Sequence, residues 1–314
     1  MKDAKPSLTR RDTPRPAPPR RFSPRKTTFR LAEDCSVLHI ANGVGVDSTA
    51  MLVGLVKRGI RPNYILFADT GSEKPETYGY IAVINEFLRR EGFPETQVVK
   101  YLPKEMHYTT LEEDCTTKGL LPSLAYGGKS CSIKWKIGAQ RTFLRELPEV
   151  KAGWKQGKKV LTYVGYDAGP KDSRRGKDLE PNDKYREEYP LREWGWDRMR
   201  CRMEILSVGL PVPIKSACFM CPATSPEELV WLHYQHPDLF MRALHLEQLA
   251  MPKLRSVEGL WRSSRVKTNR PGSWVKWALQ NGMAATLPDG SLVHQPIQYT
   301  TPPEFPAREY YSCK

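Results

Sequence analysis

Long apolar runs are missing from this sequence of 314 residues. A membrane-spanning helix needs about 18 or more consecutive apolar residues, and no stretch approaches that length, so we expect no membrane partner. The N-terminus is basic but has no apolar segment of the kind that a secretory signal carries, which favours a cytoplasmic location. Seven cysteines without such a signal favour free thiols or metal ligands over a disulfide framework.

Acidic residues are in the minority, with 35 against 49 lysines and arginines. Residues 1–30 contain ten of the basic residues, two acidic ones and six prolines. Because such a composition cannot bury a core, we predict a disordered basic arm, which either contacts nucleic-acid phosphates or is only a solvated tail. Residues 31–250 are expected to form the main domain. Apolar periodicity fades over 251–314, which predicts an irregular C-terminal extension.

A glycine-containing loop follows the first apolar run of strand length, 36–41. The loop, 42–49, reads Asn-Gly-Val-Gly-Val-Asp-Ser-Thr, and an apolar segment typical of a buried helix comes next. Glycines let the backbone approach a phosphate, and the first amides of the helix point at it. Asp47 is expected to hold a metal or to orient the loop; an ordinary strand-to-helix turn is the alternative. The predicted contacts to the anion are Gly43, Gly45, Ser48 and Thr49.

A second apolar run, 64–68, is followed by Asp69, Thr70 and Gly71 and then by a predicted helix, Pro75–Arg90. Further strands are predicted at 96–102 and 159–164. This alternation predicts an α/β fold with a doubly wound, mainly parallel sheet. The carboxyl ends of the strands in such a sheet face the ligand crevice. We therefore expect Asp69, Thr70 and Gly71 to contact a nucleotide, although a turn or capping role would also explain the aspartate.

Four separated motifs resemble one family. The loop at 42–49 resembles the Ser-Gly-Gly-x-Asp-Ser PP-loop, with Gly43 in place of the serine and Val44 in place of a glycine. Asp-Thr-Gly followed by Pro-Glu-Thr-Tyr resembles a second signature, and Cys-x-x-Lys-x-Lys at 131–136 a third. The segment 165–175 resembles a Gly-Ile-Arg-Ala-Asp-Glu-Ser-x-x-Arg loop. The chain is thus similar to the PAPS reductase-like branch of the adenine nucleotide alpha hydrolase, or PP-loop, superfamily.

The resemblance implies ATP or PAPS and Mg²⁺ as ligands. It implies catalytic roles for Asp47, Ser48 and Arg174, and nucleotide contacts for Gly165 and Arg175. The implied activity is an ATP pyrophosphatase that adenylates a substrate for sulfur transfer from an unknown donor. A PAPS reductase is the first alternative, although the sequence lacks a good match to that enzyme's C-terminal Glu-Cys-Gly-Leu-His-like motif. A nucleic-acid-binding protein with a degenerate nucleotide site is the second.

A Cys-x-x-Cys pair, Cys218 and Cys221, is followed by proline. This spacing turns two thiolates toward one centre and fits a metal ion or an iron–sulfur cluster. Cys131, by its family-like context, and Cys201, as a fourth ligand, complete a predicted [4Fe–4S] site. Zinc is the main alternative, and a redox dithiol or four unrelated buried thiols remain open.

Overall fold

The computed structural model of the protein describes residues 30–103, 107–170, 172, 175 and 182–306. Arg174 and residues 1–29 of the predicted arm lie outside them. A parallel five-stranded sheet in the order β3-β2-β1-β4-β5 forms the centre of the fold. Its strands are β1 Cys35–Ala41, β2 Tyr64–Asp69, β3 Thr96–Lys100, β4 Lys159–Val164 and β5 Tyr185–Glu188.

Helices follow β1, β2 and β3, and further helices lie beyond β5. A two-stranded antiparallel hairpin of β6 Ala284–Thr286 and β7 Leu292–His294 follows the last of them. None of the helices in the described ranges is long and apolar enough to cross a membrane. The α-helices are α1 Val46–Arg58, α2 Pro75–Arg90, α3 Leu111–Lys118, α4 Ala139–Glu146, α5 Pro148–Lys155, α6 Pro190–Glu193, α7 Arg198–Ser207, α8 Pro226–Gln235, α9 Pro237–Ala250 and α10 Trp274–Gln280.

Residues of the inner strands alternate between two hydrophobic clusters. Leu38 and Ile40 of β1 pack with α1, α2 and α7 on one face, whereas Val37 and Leu66 pack with α4 and α5 on the other. Successive side chains of a strand point to opposite faces, so both faces of this sheet are covered by helices. The prediction of an α/β fold with a mainly parallel sheet is confirmed.

The strand order places a reversal of direction beside β1. From β1 the chain moves outward through β2 and β3, and it then returns to add β4 and β5 on the other side of β1. In open parallel sheets, ligands bind where neighbouring connections diverge in this way, outside the carboxyl ends of the strands. The loops after β1 and β4 therefore define the crevice in which a functional site is expected.

Most predicted elements are present, including the helix Pro75–Arg90. The structure differs from the prediction at three places. β3 ends at Lys100, two residues early, because its partner β2 ends at Asp69, the residue with which Lys100 is paired. β5 was not predicted, because its sequence, Tyr-Arg-Glu-Glu, has no apolar run and it lies at an edge of the sheet. The segment Cys131–Gly138 is a π-helix that continues into α4, a conformation often found at functional sites.

The predicted C-terminal extension is not irregular throughout, since it contains α10 and the β6–β7 hairpin and shares a hydrophobic cluster with α8 and α9. A buried carboxylate of α9 adds polar contacts to this packing. Glu247 has no exposed surface. Its side chain accepts hydrogen bonds from the amides of Leu260 (2.6 Å), Trp274 (3.0 Å) and Val275 (2.9 Å) and from the hydroxyl of Ser273. Three of these donors lie at the start of α10, where unsatisfied amides favour negative charge.

Replacing this carboxylate should loosen the extension. In Glu247→Gln the side-chain NH₂ group would face backbone donors, and at least one buried amide would lose its acceptor. We expect the free energy of unfolding to fall by about 2–4 kcal/mol, as when one partner of a buried charged network is removed. Urea denaturation measures this change. Glu227→Gln, at an exposed position of α8, is the matched control, and equal losses in both variants would contradict the assigned role.

Candidate functional site

The side chain of Asn42 stabilises the loop after β1 through two hydrogen bonds. This buried side chain accepts a hydrogen bond from the amide of Val44 (2.8 Å) and donates one to the hydroxyl of Thr96 (3.1 Å). The loop then enters α1 with Gly45 as the residue before the first helical turn. The first amides of any helix lack partners within it, so they remain available to an anion at this end. Gly43 is exposed in the same loop.

Val44 adopts a left-handed backbone conformation, with φ of 56°. A β-branched residue pays a steric cost there that glycine does not. The position is the one at which the PP-loop pattern has a glycine. The Val44 side chain is 1% exposed and packs in the hydrophobic cluster that contains residues of β1, α1, α2 and α7. This burial offsets the backbone strain. The turn expected of a glycine is thus retained although the glycine is not.

Two glycines allow the backbone segments of the site to touch. A Cβ atom at Gly165, directly after β4, would lie 2.9 Å from the amide nitrogen and Cα of Ser48. A Cβ atom at Gly45 would lie 2.7 Å from the hydroxyl oxygen of Ser216. Both distances are shorter than van der Waals contact. Both glycines were predicted to contact a ligand, but the structure gives them another role: each lets two segments of the same chain lie close together.

The two hydroxyl residues at the start of α1 differ in their surroundings. Ser48 Oγ interacts with the amide and the carbonyl of Gly45, both at 3.2 Å. Thr49 is 1% exposed, its hydroxyl lies near the phenol of Tyr80, and its amide donates to the Gly45 carbonyl (3.0 Å). Ser48, also buried, therefore shapes the loop through the backbone of Gly45, whereas the hydroxyl of Thr49 lies near Tyr80.

Three carboxylates meet in the crevice. Asp47, in the first turn of α1, and Asp167 and Asp172, in the loop after β4, bring one oxygen each to within 4.8 Å of one another. Arg198 of α7 approaches two of them, with Nη1 2.9 Å from Asp47 Oδ1 and Nε 3.7 Å from Asp167 Oδ2. Carboxylate oxygens in such a group are the ligands that Mg²⁺ prefers. The arrangement could hold one divalent cation between β1 and β4.

Burial and like charge raise the pKa of two of these carboxylates, Asp47 and Asp167. Burial raises the pKa of Asp47 to about 7, because Arg198 does not fully offset desolvation and the charges of Asp167 and Asp172 add to it. Burial and Asp172 also raise the pKa of Asp167, against a lowering by its hydrogen bond from the Gly169 amide. A cation would favour the ionised forms.

Asp167 and Asp172 were not predicted as ligands. Their signal was available, since both follow a predicted strand end, but nothing in the sequence alone shows that β4 lies beside β1. Arg175, a predicted phosphate contact, lies 3.2 Å from Asp172 and 5.4 Å from the ring of Tyr166. It is therefore at the edge of the same crevice.

The polar side chains of Asp69 and Thr70 make hydrogen bonds and an ion pair within the protein. Asp69 Oδ1 accepts from the Gly71 amide and the Tyr78 hydroxyl, both at 2.7 Å, and Oδ2 lies 3.1 Å from the Lys100 ammonium. Thr70 is fully buried, with its hydroxyl 3.3 Å from Glu73 Oε1. These contacts give the aspartate the turn-forming role that the sequence also allowed. Nucleotide contact by this segment stays a prediction.

The Cys-x-x-Cys pair lies against this segment. The sulfur of Cys218 is 3.7 Å from the Thr70 hydroxyl, and Glu73 and Cys218 form an isolated antiparallel bridge. Lys136 of the π-helix donates to Glu73 (3.0 Å). Burial and the Glu73 carboxylate raise the pKa of Cys218, while Lys136 lowers it. The Cys221 thiol also contributes to the raised pKa of Cys218.

The structure does not bring Cys201 to the other three predicted ligands. It is fully buried between α1 and α7, in the cluster beside the carboxylates, and Asp47 and Asp167 help burial to raise its pKa. Cys115 and Cys218 belong to a different cluster, against which Cys131 and Cys221 are also packed. Within the described ranges no three cysteine sulfurs lie within 4.8 Å of one another. A closed zinc site, with sulfurs about 3.8 Å apart, is thus not assembled.

The ionisation of Asp47 generates a pH-dependent prediction. Because its folded pKa, about 7, is above that of an unfolded aspartate, its stabilising contribution is complete below pH 4 and is lost as pH rises to 7. Relative to Asp47→Asn, the wild type should lose at most about 1.4 kcal/mol of unfolding free energy per pH unit in that range. MgCl₂ should restore the loss at pH 7.5 but not at pH 5.

Chemical denaturation at several pH values measures this difference, in which other titrating groups cancel. Asp183→Asn, at an exposed position, should follow the wild type. Parallel pH profiles for wild type and Asp47→Asn would contradict the raised pKa.

Comparison with known proteins leaves this site to be interpreted from its own residues, because no protein-family model matches the chain and no curated protein is detectably similar to it.

Proposed function

We propose that the protein is a PP-loop ATP pyrophosphatase of the PAPS reductase-like kind, which activates an acceptor by adenylation for sulfur transfer. The observation that carries this proposal is the meeting of Asp47, Asp167 and Asp172 beside the free amides of α1, at the switch point of a parallel sheet. Amides suit phosphate oxygens, and carboxylates suit the Mg²⁺ that accompanies a nucleoside triphosphate.

In this proposal, backbone amides bind the anionic pyrophosphate and carboxylates bind the cation. The amides at the start of α1 bind the departing pyrophosphate, and the exposed backbone at Gly43 lets it approach. Asp47 and Asp167 hold the cation, and Arg198 orients both carboxylates from the side of α7. Mg²⁺, when bound, supplies charge stabilisation on the phosphate oxygens. An acceptor oxygen attacks the α-phosphorus, the bond to the bridging oxygen breaks, and pyrophosphate leaves.

Labelled ATP provides the direct test. The wild type with MgCl₂ should release pyrophosphate and AMP, slowly with water as acceptor and faster with the true acceptor. Asp47→Ala should lower this turnover at least 100-fold, because electrostatic groups at reacting phosphates contribute on that scale. Asp183→Asn is the matched control, and circular dichroism verifies folding of each variant.

Three outcomes would redirect the proposal. Turnover unchanged in Asp47→Ala would remove the carboxylate group from the reaction. Release of sulfite from PAPS and a thiol reductant, without any cleavage of ATP, would identify the first alternative, a PAPS reductase. Salt-sensitive nucleic-acid binding with neither activity would favour the second alternative, which the net charge of +14 supports.

For the cysteines we propose a metal or cluster site built on Cys218 and Cys221, with Cys131 beside them. Cys115, whose thiol pKa is raised by burial, by the Asp114 carboxylate and by the nearby Cys131 thiol, replaces Cys201 as the candidate for a fourth ligand. Because three thiols are not within zinc distance, a wider iron–sulfur cluster fits the set better. No step of the adenylation is assigned to it.

Anaerobic purification tests this assignment. We expect brown protein with broad absorption near ~400 nm, lost in Cys218→Ala and retained in Cys201→Ala. Cys35→Ala, a buried cysteine of β1, controls for loss of a packed thiol. Loss of colour in Cys201→Ala but not in Cys35→Ala would restore Cys201 as a ligand, and colourless protein with bound zinc would exclude the cluster.

A further inference from the structure

Ser216 lies directly over the loop between β1 and α1. Its hydroxyl oxygen would be 2.7 Å from a Cβ atom at Gly45 and 3.7 Å from one at Gly43. Ser48 Oγ would be 3.9 Å from that same Cβ at Gly43. Two hydroxyls, from chain segments far apart in the sequence, thus flank the exposed glycine of the loop.

The two hydroxyls differ in their hydrogen bonds. Ser48 Oγ is engaged with the backbone of Gly45 on both its amide and carbonyl sides. The hydroxyl of the half-buried Ser216 makes no hydrogen bond to another residue that the structure describes. A partly buried hydroxyl without a protein partner, beside helix amides that also lack one, is suited to an anionic oxygen.

The backbone around Ser216 is held in place. The carbonyl of the next residue, Ala217, accepts from the buried ammonium of Lys74 (2.8 Å), and the amide of Phe219 donates to the carbonyl of Ser72 (2.9 Å). Because these contacts hold the backbone on its C-terminal side, the main chain that carries the hydroxyl is positioned before any ligand arrives. Preorganisation of this kind lowers the entropy cost of binding.

We propose that Ser216 supplies a phosphate-binding hydroxyl to the loop, in place of the serine that the PP-loop pattern has at position 43. The inference deepens the proposed function and rests on nucleotide binding at this loop. Ser216 binds a β- or γ-phosphate oxygen of the nucleotide, and the pyrophosphate after cleavage. It is a binding residue and takes no part in bond making.

Transfer of the hydroxyl between the two positions tests this role. Gly43 has a φ outside the left-handed region and only ordinary contacts around a Cβ, so a serine fits there. Calorimetric titration with MgCl₂ and inorganic pyrophosphate should show affinity about tenfold lower in Ser216→Ala, the loss of one hydrogen bond to a charged group. The double variant Gly43→Ser/Ser216→Ala should recover most of it. Ser263→Ala, at an exposed position, should bind as the wild type does.

A second pair of variants tests the contact without any ligand. Gly45→Ala should lower the melting temperature, because its methyl group would meet the Ser216 oxygen at 2.7 Å. Adding Ser216→Ala should restore most of the loss, since the serine Cβ is at an ordinary 3.6 Å.

The outcomes separate the two proposals. If the wild type binds neither ATP nor pyrophosphate, the proposed function fails and this inference fails with it. If the wild type binds and Ser216→Ala binds equally well, nucleotide binding stands and the role of Ser216 is overturned. That role is also overturned if affinity falls in Ser216→Ala and Gly43→Ser gives no recovery.

Discussion

The backbone contact between the end of β4 and the first turn of α1 is the constraint on which the candidate site depends. A side chain at Gly165 would meet Ser48 backbone atoms at 2.9 Å, so the two segments can lie this close only because the residue is glycine. That approach places Asp167, two residues beyond Gly165, beside Asp47. The sheet order makes β1 and β4 neighbours, and Gly165 lets the loops after these two strands bring their carboxylates together.

The charges of this site do not balance. Three carboxylates lie within 4.8 Å, and each pair of full charges at that separation repels by about 3 kcal/mol at an effective dielectric constant of 20. Arg198 contacts two of them and Arg175 contacts the third, so among the residues that the structure describes two positive charges face three negative ones. A proton on Asp47, whose pKa burial raises to about 7, offsets the excess negative charge, as would the divalent cation of the proposed function.

The sequence predicted local structure well and long-range contacts poorly. Apolar runs located β1, β2 and β4, and the proline and acidic residue at its start located α2. Strand order is a long-range property, so the partnership of Asp47 with Asp167 was not visible. For the same reason the Cys-x-x-Cys spacing identified a pair, whereas the choice of Cys201 as a fourth ligand had no local signal and the structure places it elsewhere.

The segment that contains Ser216 and Cys218 contacts both the loop after β1 and the end of β2. On one side Ser216 covers Gly45, and on the other Cys218 contacts Thr70 and forms a bridge with Glu73. The turn formed by Asp69, Thr70 and Gly71 thereby helps to hold Cys218 near the loop after β1, a role that needs no contact with a nucleotide. A sulfur-carrying group at the cysteines and an adenylated acceptor at the loop would then be held by one short, well-anchored stretch of chain.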